Sequence, residues 1–258
     1  MSDEKRGLGL LGPSPPDYRD FLYGAPSAVL AELPTFVDLR DVYAPRIFDQ
    51  LSIGSCVANA VNAMVQYVER HDQDPDYDRL SRLWTYYYAR EKIGTVNEDS
   101  GCFIRDGVAV TAERGVPREK FWPYDINKFT VEPTAGEKSA PEHKTLEYRS
   151  VLDGNEQDMR ACIAEGYPFV YGFAVYNTFW NIRSDGKWLG ERGPIDGYHA
   201  VACWGYDFRP GAFGFPLGGW IIRNSWSNEW GHNGYFYVPR PYMSIEAFDC
   251  WTIRKVKR

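Results

Sequence analysis

Nowhere in the chain do apolar residues run to the roughly 20 that a membrane span needs. The opening stretch MSDEKRGLGLLGPSPPD also falls short of the roughly 7 to 15 apolar residues of a secretory leader, being broken by Gly and Pro. A cytoplasmic protein without a membrane partner is therefore the expectation. Basic runs are missing as well. With a net charge of −6 and a sequence pI of 5.3, no Lys/Arg stripe is available to track a phosphate backbone, which argues against a nucleic-acid partner. The short basic end IRKVKR reads as a solvated tail. The five cysteines, Cys56, Cys102, Cys162, Cys203 and Cys250, lack the short paired spacings of a zinc site or a disulfide frame. Reduced thiols and no bound metal are expected. Internal repeats and low-complexity segments are absent, nothing marks an oligomer, and a monomer is the expectation.

What is present is enough apolar side chain for one large core or two modest ones, 44% of 258 residues, with 16% aromatic. Residues 1–33 form a Pro/Gly-rich arm whose Tyr18, Phe21 and Tyr23 would be costly to leave in water, so it is expected to dock. Apolar residues recur at helical spacing from Ser55 to about Arg70, with Ser52 or Ser55 as a cap, and again through Leu80, Leu83, Trp84, Tyr87 and Tyr88. A third helix is expected in IRDGVAVTAERGV, ending at Gly115. After the polar connection TVEPTAGEKSAPEHK and one short helix in NEQDMRACIAEG come strand-like runs: PFVYGFAVY, HAVACWGYDF, GGWIIRNSW, GYFYVP and FDCWTIRKV. Helices first and strands later predict an α+β protein with a helical half at 34–145, a strand-rich half at 146–258 and a cleft between them.

Cys56 falls at the start of the first helix, where unpaired N–H groups and the positive end of the helix dipole favour an anionic sulfur. The dipole contributes only about 0.3 to 1 kcal/mol, so a second positive charge is needed. Of the four histidines, His71, His143 and His232 read as exposed surface residues. His199 opens an apolar strand and suits a thiolate's partner, although taken alone it reads equally as a satisfied core histidine. Asn224 in RNSW either initiates a turn or accepts an imidazole N–H, with Trp226 shielding that bond. Gln50, six residues before the cysteine, is either a solvated loop residue or a donor to a developing oxyanion, beside the Cys56 N–H.

In chain order these four residues resemble the papain-like cysteine peptidases: Gln, Cys at the head of a helix, His before an apolar strand, and Asn in an N-S-W…W-G…G-Y block. IGSCV keeps the Gly-Ser-Cys core, with Ile53 where a half-cystine is usual and Val57 where an aromatic is usual. NSWSNEWGHNGY departs from the family block at one fixed position, Ser227 for Gly, and LPTFVDLRD resembles the family's mature N-terminus. The resemblance implies a two-domain papain-like fold, a helical half plus a barrel-like strand-rich half. It also implies a peptide or protein substrate, an acyl-enzyme intermediate on Cys56, and no metal or organic cofactor. It implies further that Asn224 orients His199 and that Gln50 with the Cys56 N–H forms the oxyanion site.

The segment EDSGCFIRDGV resembles the family stretch that pairs with substrate backbone, which makes Gly101 the matching glycine, with Ser100 where a second is common. Tyr198 stands where relatives carry a small or acidic residue, altering the leaving-group side of the cleft, and Trp226 is a further candidate for substrate binding. Glu246 is a candidate for the wall of a specificity pocket. Residues 1–33 are too short for the family's whole inhibitory propeptide, leaving an arm that either restrains the enzyme or completes its packing. Two other functions stay open at this level: acyl transfer to an amine by the same triad, as in a ligase, and peptide binding by a catalytically idle relative.

Overall fold

The computed structural model describes residues 6–42, 46–71, 79–136, 140 and 143–257; part of the polar connection and the first five residues of the arm lie outside them. In chain order the elements are α1 (Ser27–Ala31), β1 (Phe36–Asp38), α2 (Cys56–His71), α3 (Arg82–Lys92), α4 (Ile104–Glu113), β2 (Lys144–Val151) and α5 (Glu156–Ala164). There follow β3 (Phe169–Tyr176), β4 (Ile195–Asp207), β5 (Gly219–Arg223), β6 (Tyr235–Pro239), α6 (Tyr242–Glu246) and β7 (Phe248–Lys257).

The expected α+β order holds, and the strands form one antiparallel sheet in the order β2-β7-β3-β4-β5-β6, with β1 added beside β4. The sheet is open: β2 and β6 are its two ends. β2, unread in the sequence, alternates charged and apolar residues at an edge, and its apolar Leu146 is exposed, so its period-2 signal is weak. The end IRKVK is part of β7, not a solvated tail. Ile253 is buried there, and Arg254 lies 3.8 Å from the Tyr167 ring centre and 3.1 Å from Glu165.

α2 was expected to bury one face, but its residues from Cys56 to Val68 are all buried, since it is packed by α3 and α4 and by β4 and β7. A helix enclosed on all sides must satisfy its polar residues internally. Asn59 Oδ1 accepts from Arg82 Nη1 at 3.1 Å and Asn62 Oδ1 accepts from Thr85 Oγ1 at 2.8 Å, both on α3. This bolts the start of α2 in place. β4 meets α2 from the other side, and the His199 position on it pairs with Phe173 of β3.

The arm lies against the rest of the chain, with one of its three aromatics taking part. Tyr18 and Phe21 stay exposed, and only Tyr23 is buried, where its hydroxyl donates to Glu165. Main-chain bonds do more of the holding: Ser150 N–H donates to Phe21 O at 2.9 Å and Tyr23 N–H to Ser150 O at 2.7 Å, which extends the sheet beyond the β2 edge. His143 is likewise a correction. It is buried, not exposed, with Nδ1 2.7 Å from Glu69 Oε1 and Nε2 accepting from Arg118 at 3.3 Å. Its place in a polar connection hid the fold-back that brings it against α2. His71 is half-buried beside Tyr67 and Tyr167, and His232 is exposed.

Candidate active site

The chain places Cys56, His199, Asn224 and Gln50 in one buried site, at the contact of α2 with β4 and the loop after β5. Around the sulfur, the backbone N–H groups of Ala200, Gly9, Val57 and Cys56 itself face the thiol. Two of these donors are the unpaired N–H groups that every helix start presents. Ser55, offered as a cap, turns its hydroxyl to Tyr124 at 2.6 Å and to the Asn59 amide at 3.0 Å.

His199 Nε2 lies 2.8 Å from Asn224 Oδ1. The amide orientation follows from a second bond: the Ser225 N–H donates to the same Oδ1 at 2.8 Å, which only an oxygen can accept. Nε2 therefore carries the proton and Nδ1 is the basic nitrogen. Nδ1 makes no hydrogen bond, the Cys56 sulfur included. Trp226 stacks on the imidazole at 4.9 Å, and exposed Trp180 stacks on Trp226 at 5.3 Å with its indole N–H on Asp196. These rings keep water from the His199–Asn224 bond.

Gln50 is fully buried. Its Nε2 donates to Gly7 O at 2.9 Å and Ile53 O at 3.1 Å, while its Oε1 accepts from Ser225 Oγ at 2.7 Å. Ser225, unnoticed in the sequence, thus aligns both the amide of Gln50 and the amide of Asn224. No sequence signal distinguished it from the other residues of the NSW block.

Gly7 belongs to the arm, which runs through the site. Gly7 N–H donates to Leu51 O, Gly9 O accepts from Cys102 N–H at 2.9 Å, Leu10 N–H donates to Tyr198 O, and Leu11 N–H donates to Cys102 O. Leu10 pairs with Cys102 as a parallel bridge. The approach is so close that a β-carbon on Gly9 would fall 1.8 Å from Gly54 O, and one on Gly101 would fall 2.0 Å from Gly9 O. Burial under this arm pushes the Cys56 thiol up to about 11 and His199 down to about 4. In both cases loss of water penalises the charged form, so the covered site holds a thiol and a neutral imidazole.

The candidates for substrate binding fall at two places along the arm, with one exchange of role. Gly101 N–H is donated to the Tyr86 hydroxyl at 3.2 Å, and the arm pairs instead with the main chain of Cys102. Gly101, at φ 76°, supplies the space. Ser100 bonds Thr95 and Gly101 O and turns away from the arm. The Tyr198 ring packs edge-on against Phe248 and its carbonyl accepts the Leu10 N–H, whereas the main chain of Trp226 bridges that of Asp49. Glu246 is engaged by Arg192 and the Tyr176 hydroxyl. Among the described residues no group of three or more His, Cys, Asp or Glu side chains is placed to hold a metal ion.

Comparison with known proteins gives the family. The model of the papain family cysteine proteases matches residues 33–248, leaving the arm outside. An uncharacterized peptidase C1-like protein of Acanthamoeba polyphaga mimivirus is 30% identical over 227 residues, 81% of this chain and 69% of that protein. Cathepsin K of Gallus gallus is 27% identical over 80% of this chain, which spans 59% of its length. Among solved structures, xylellain, a cysteine protease from Xylella fastidiosa, superposes with a TM-score of 0.84 at 36% identity, covering 100% of this chain and 99% of that one. A procathepsin B of Trypanosoma congolense shares the fold, with a TM-score of 0.79 at 18% identity over 99% and 87% of the two chains.

Proposed function

Since the chain belongs to the papain family of cysteine proteases and is a cysteine peptidase, we propose that Cys56, His199, Asn224 and Gln50 are its machinery and that the arm holds it latent. The observation that carries this is the fixed tautomer: with Nε2–H held by Asn224, the His199 Nδ1 is left as the base, and the next residue on its strand, Ala200, is one of the N–H donors around the Cys56 sulfur. Once the arm withdraws and water returns, proton transfer from the thiol to Nδ1 gives a thiolate and an imidazolium.

The thiolate adds to the scissile carbonyl carbon, and the Gln50 amide with the Cys56 N–H takes the oxyanion. His199⁺ gives its proton to the departing amine as the C–N bond breaks, leaving a thioester on Cys56. Neutral His199 then takes a proton from water, whose oxygen attacks the thioester and frees the acid and the thiol. The helical segment 34–145 supplies Cys56 and Gln50, and the strand-rich segment 146–258 supplies His199 and Asn224. Five free, buried thiols support a working place where thiols stay reduced, the cytoplasm.

The arm resists its own enzyme because an N–H, that of Gly9, and not a carbonyl carbon faces the sulfur. A thiol-directed epoxide followed by intact mass tests the site: one adduct is expected in the wild type and none in Cys56→Ala, with labelling of His199→Ala strongly reduced. Adducts spread over Cys102, Cys162, Cys203 and Cys250 would refute the assignment. Gly9→Ala, whose methyl cannot fit against Gly54 O, is expected to label faster than the wild type. Equal rates would make the arm packing and nothing more.

A further inference from the structure

The arm is a peptide bound in the cleft, and two of its side chains occupy sites on either side of Cys56. Leu10, buried at 5% exposure, packs against Gly172 and Phe248. At the other end Arg6 places Nη1 2.5 Å from Asp49 Oδ1. They are four positions apart, an extended span of about 13 Å, and the sulfur lies between, at Gly9.

Asp49 is built into its place. Its Oδ1 also accepts the Leu51 N–H at 3.0 Å, its carbonyl accepts Arg82 Nη1 at 3.0 Å, and its main chain bridges that of Trp226. It immediately precedes the oxyanion donor Gln50. The arm takes the Cys102 main chain, beside the glycine that resembles the substrate-pairing one, at its Leu10 end, and with Gly9 at the sulfur the Arg6 end is the side left for the departing peptide. When the arm withdraws, Arg6 goes with it and Asp49 keeps its orientation, a fixed carboxylate without its cation. A preset acceptor loses less entropy on binding than a floppy one.

We propose that Asp49 is a specificity-determining residue, and that the enzyme favours substrates with an Arg or Lys side chain on the leaving peptide, for which Arg6 is the stand-in. The proposal rests on the reading of Cys56 as the nucleophile of a peptidase. A partly exposed ion pair gives a modest preference, about two- to fivefold between a basic side chain and its neutral counterpart.

The test uses full-length Gly9→Ala and a peptide set identical except for Arg, Gln or Glu at each position after the cleaved bond, comparing kcat/KM. Arg is expected to exceed Gln by about two- to fivefold at one of those positions. Adding Asp49→Asn should bring the ratio to about one, and Asp49→Lys should turn the preference toward Glu. An Arg/Gln ratio of one with Asp49 intact, or a preference that survives Asp49→Asn, overturns the proposal. Turnover that persists in Cys56→Ala, or no turnover of any peptide, overturns the underlying reading instead. Should Gly9→Ala fail to fold, Gly7→Ala serves, since its methyl would fall 2.2 Å from Ile53 O.

Discussion

Gln50 and Ser225 separate two ways in which one residue serves a site. Gln50 presents an N–H to the place now held by the Gly7 carbonyl, whereas Ser225 touches nothing that reacts and holds the Gln50 amide by its oxygen. Removing the donor in Gln50→Ala should lower kcat by about 10² to 10³. Ser225→Ala removes one neutral hydrogen bond and leaves the donor in place, so a loss of about fivefold is expected. Both are to be measured in the Gly9→Ala background, and a larger loss from Ser225→Ala would reverse the assignment. Gln50 was readable as a candidate because an amide six residues before a helix-start thiol is chemically able to serve as an oxyanion donor. Ser225 was not, because its partner lies 175 positions away.

At the scale of elements, α3 governs the loop that forms one wall of the cleft. Arg90, fully buried, donates through Nη1 to the carbonyls of Val96 at 2.9 Å and Glu98 at 2.7 Å, through Nη2 to that of Phe129, and through Nε to that of Tyr86. Asp99, next in that loop, accepts the Gly54 N–H at 2.9 Å and the Tyr86 hydroxyl, tying the wall to the residues that lead into α2. Arg90→Met keeps the bulk but removes the donor from three carbonyls of half-buried and exposed loop residues. A loss of about 3 kcal/mol or more is expected, read as a lower denaturant midpoint at unchanged slope. A neutral outcome would mean that water reaches those carbonyls. The helices themselves were legible from their period, but the all-round burial of α2 was not, because Asn59, Asn62 and Gln66 read as a polar face until α3 is seen against it.

For the whole molecule, covering the site couples folding to pH. His199 is held at about 4 in the folded chain against an ordinary 6.5. The unfolded chain therefore binds the proton first as pH falls. Folded stability is undiminished above about 6.5, declines from there and has lost this contribution below about 4, amounting to about 3 kcal/mol in all. Cys56 acts at the other end: the unfolded chain ionises near 9 while the buried thiol waits until about 11, so stability falls as pH rises through that window. The thermal midpoint should therefore drop between pH 6.5 and 4, and His199→Gln, which cannot take up the proton, should flatten that part of the curve. An unchanged slope in His199→Gln would place the acid sensitivity elsewhere.

By itself the sequence determined the candidates for the chemistry. A thiol at a helix start, a histidine opening an apolar strand and an asparagine in a Trp-rich turn are few in this chain, so they stand out at any distance along it. The fold class followed from local periodicity in the same way. Tertiary structure alone decided what surrounds them: that Gly7 and Gly9 lie on the nucleophile's loop, that Cys102 and not Gly101 pairs with the bound strand, and that Arg6 meets Asp49. Those contacts depend on where the arm's backbone comes to rest, and a main-chain N–H or C=O is the same in every residue but proline, so nothing in the letters marks which of them will be used.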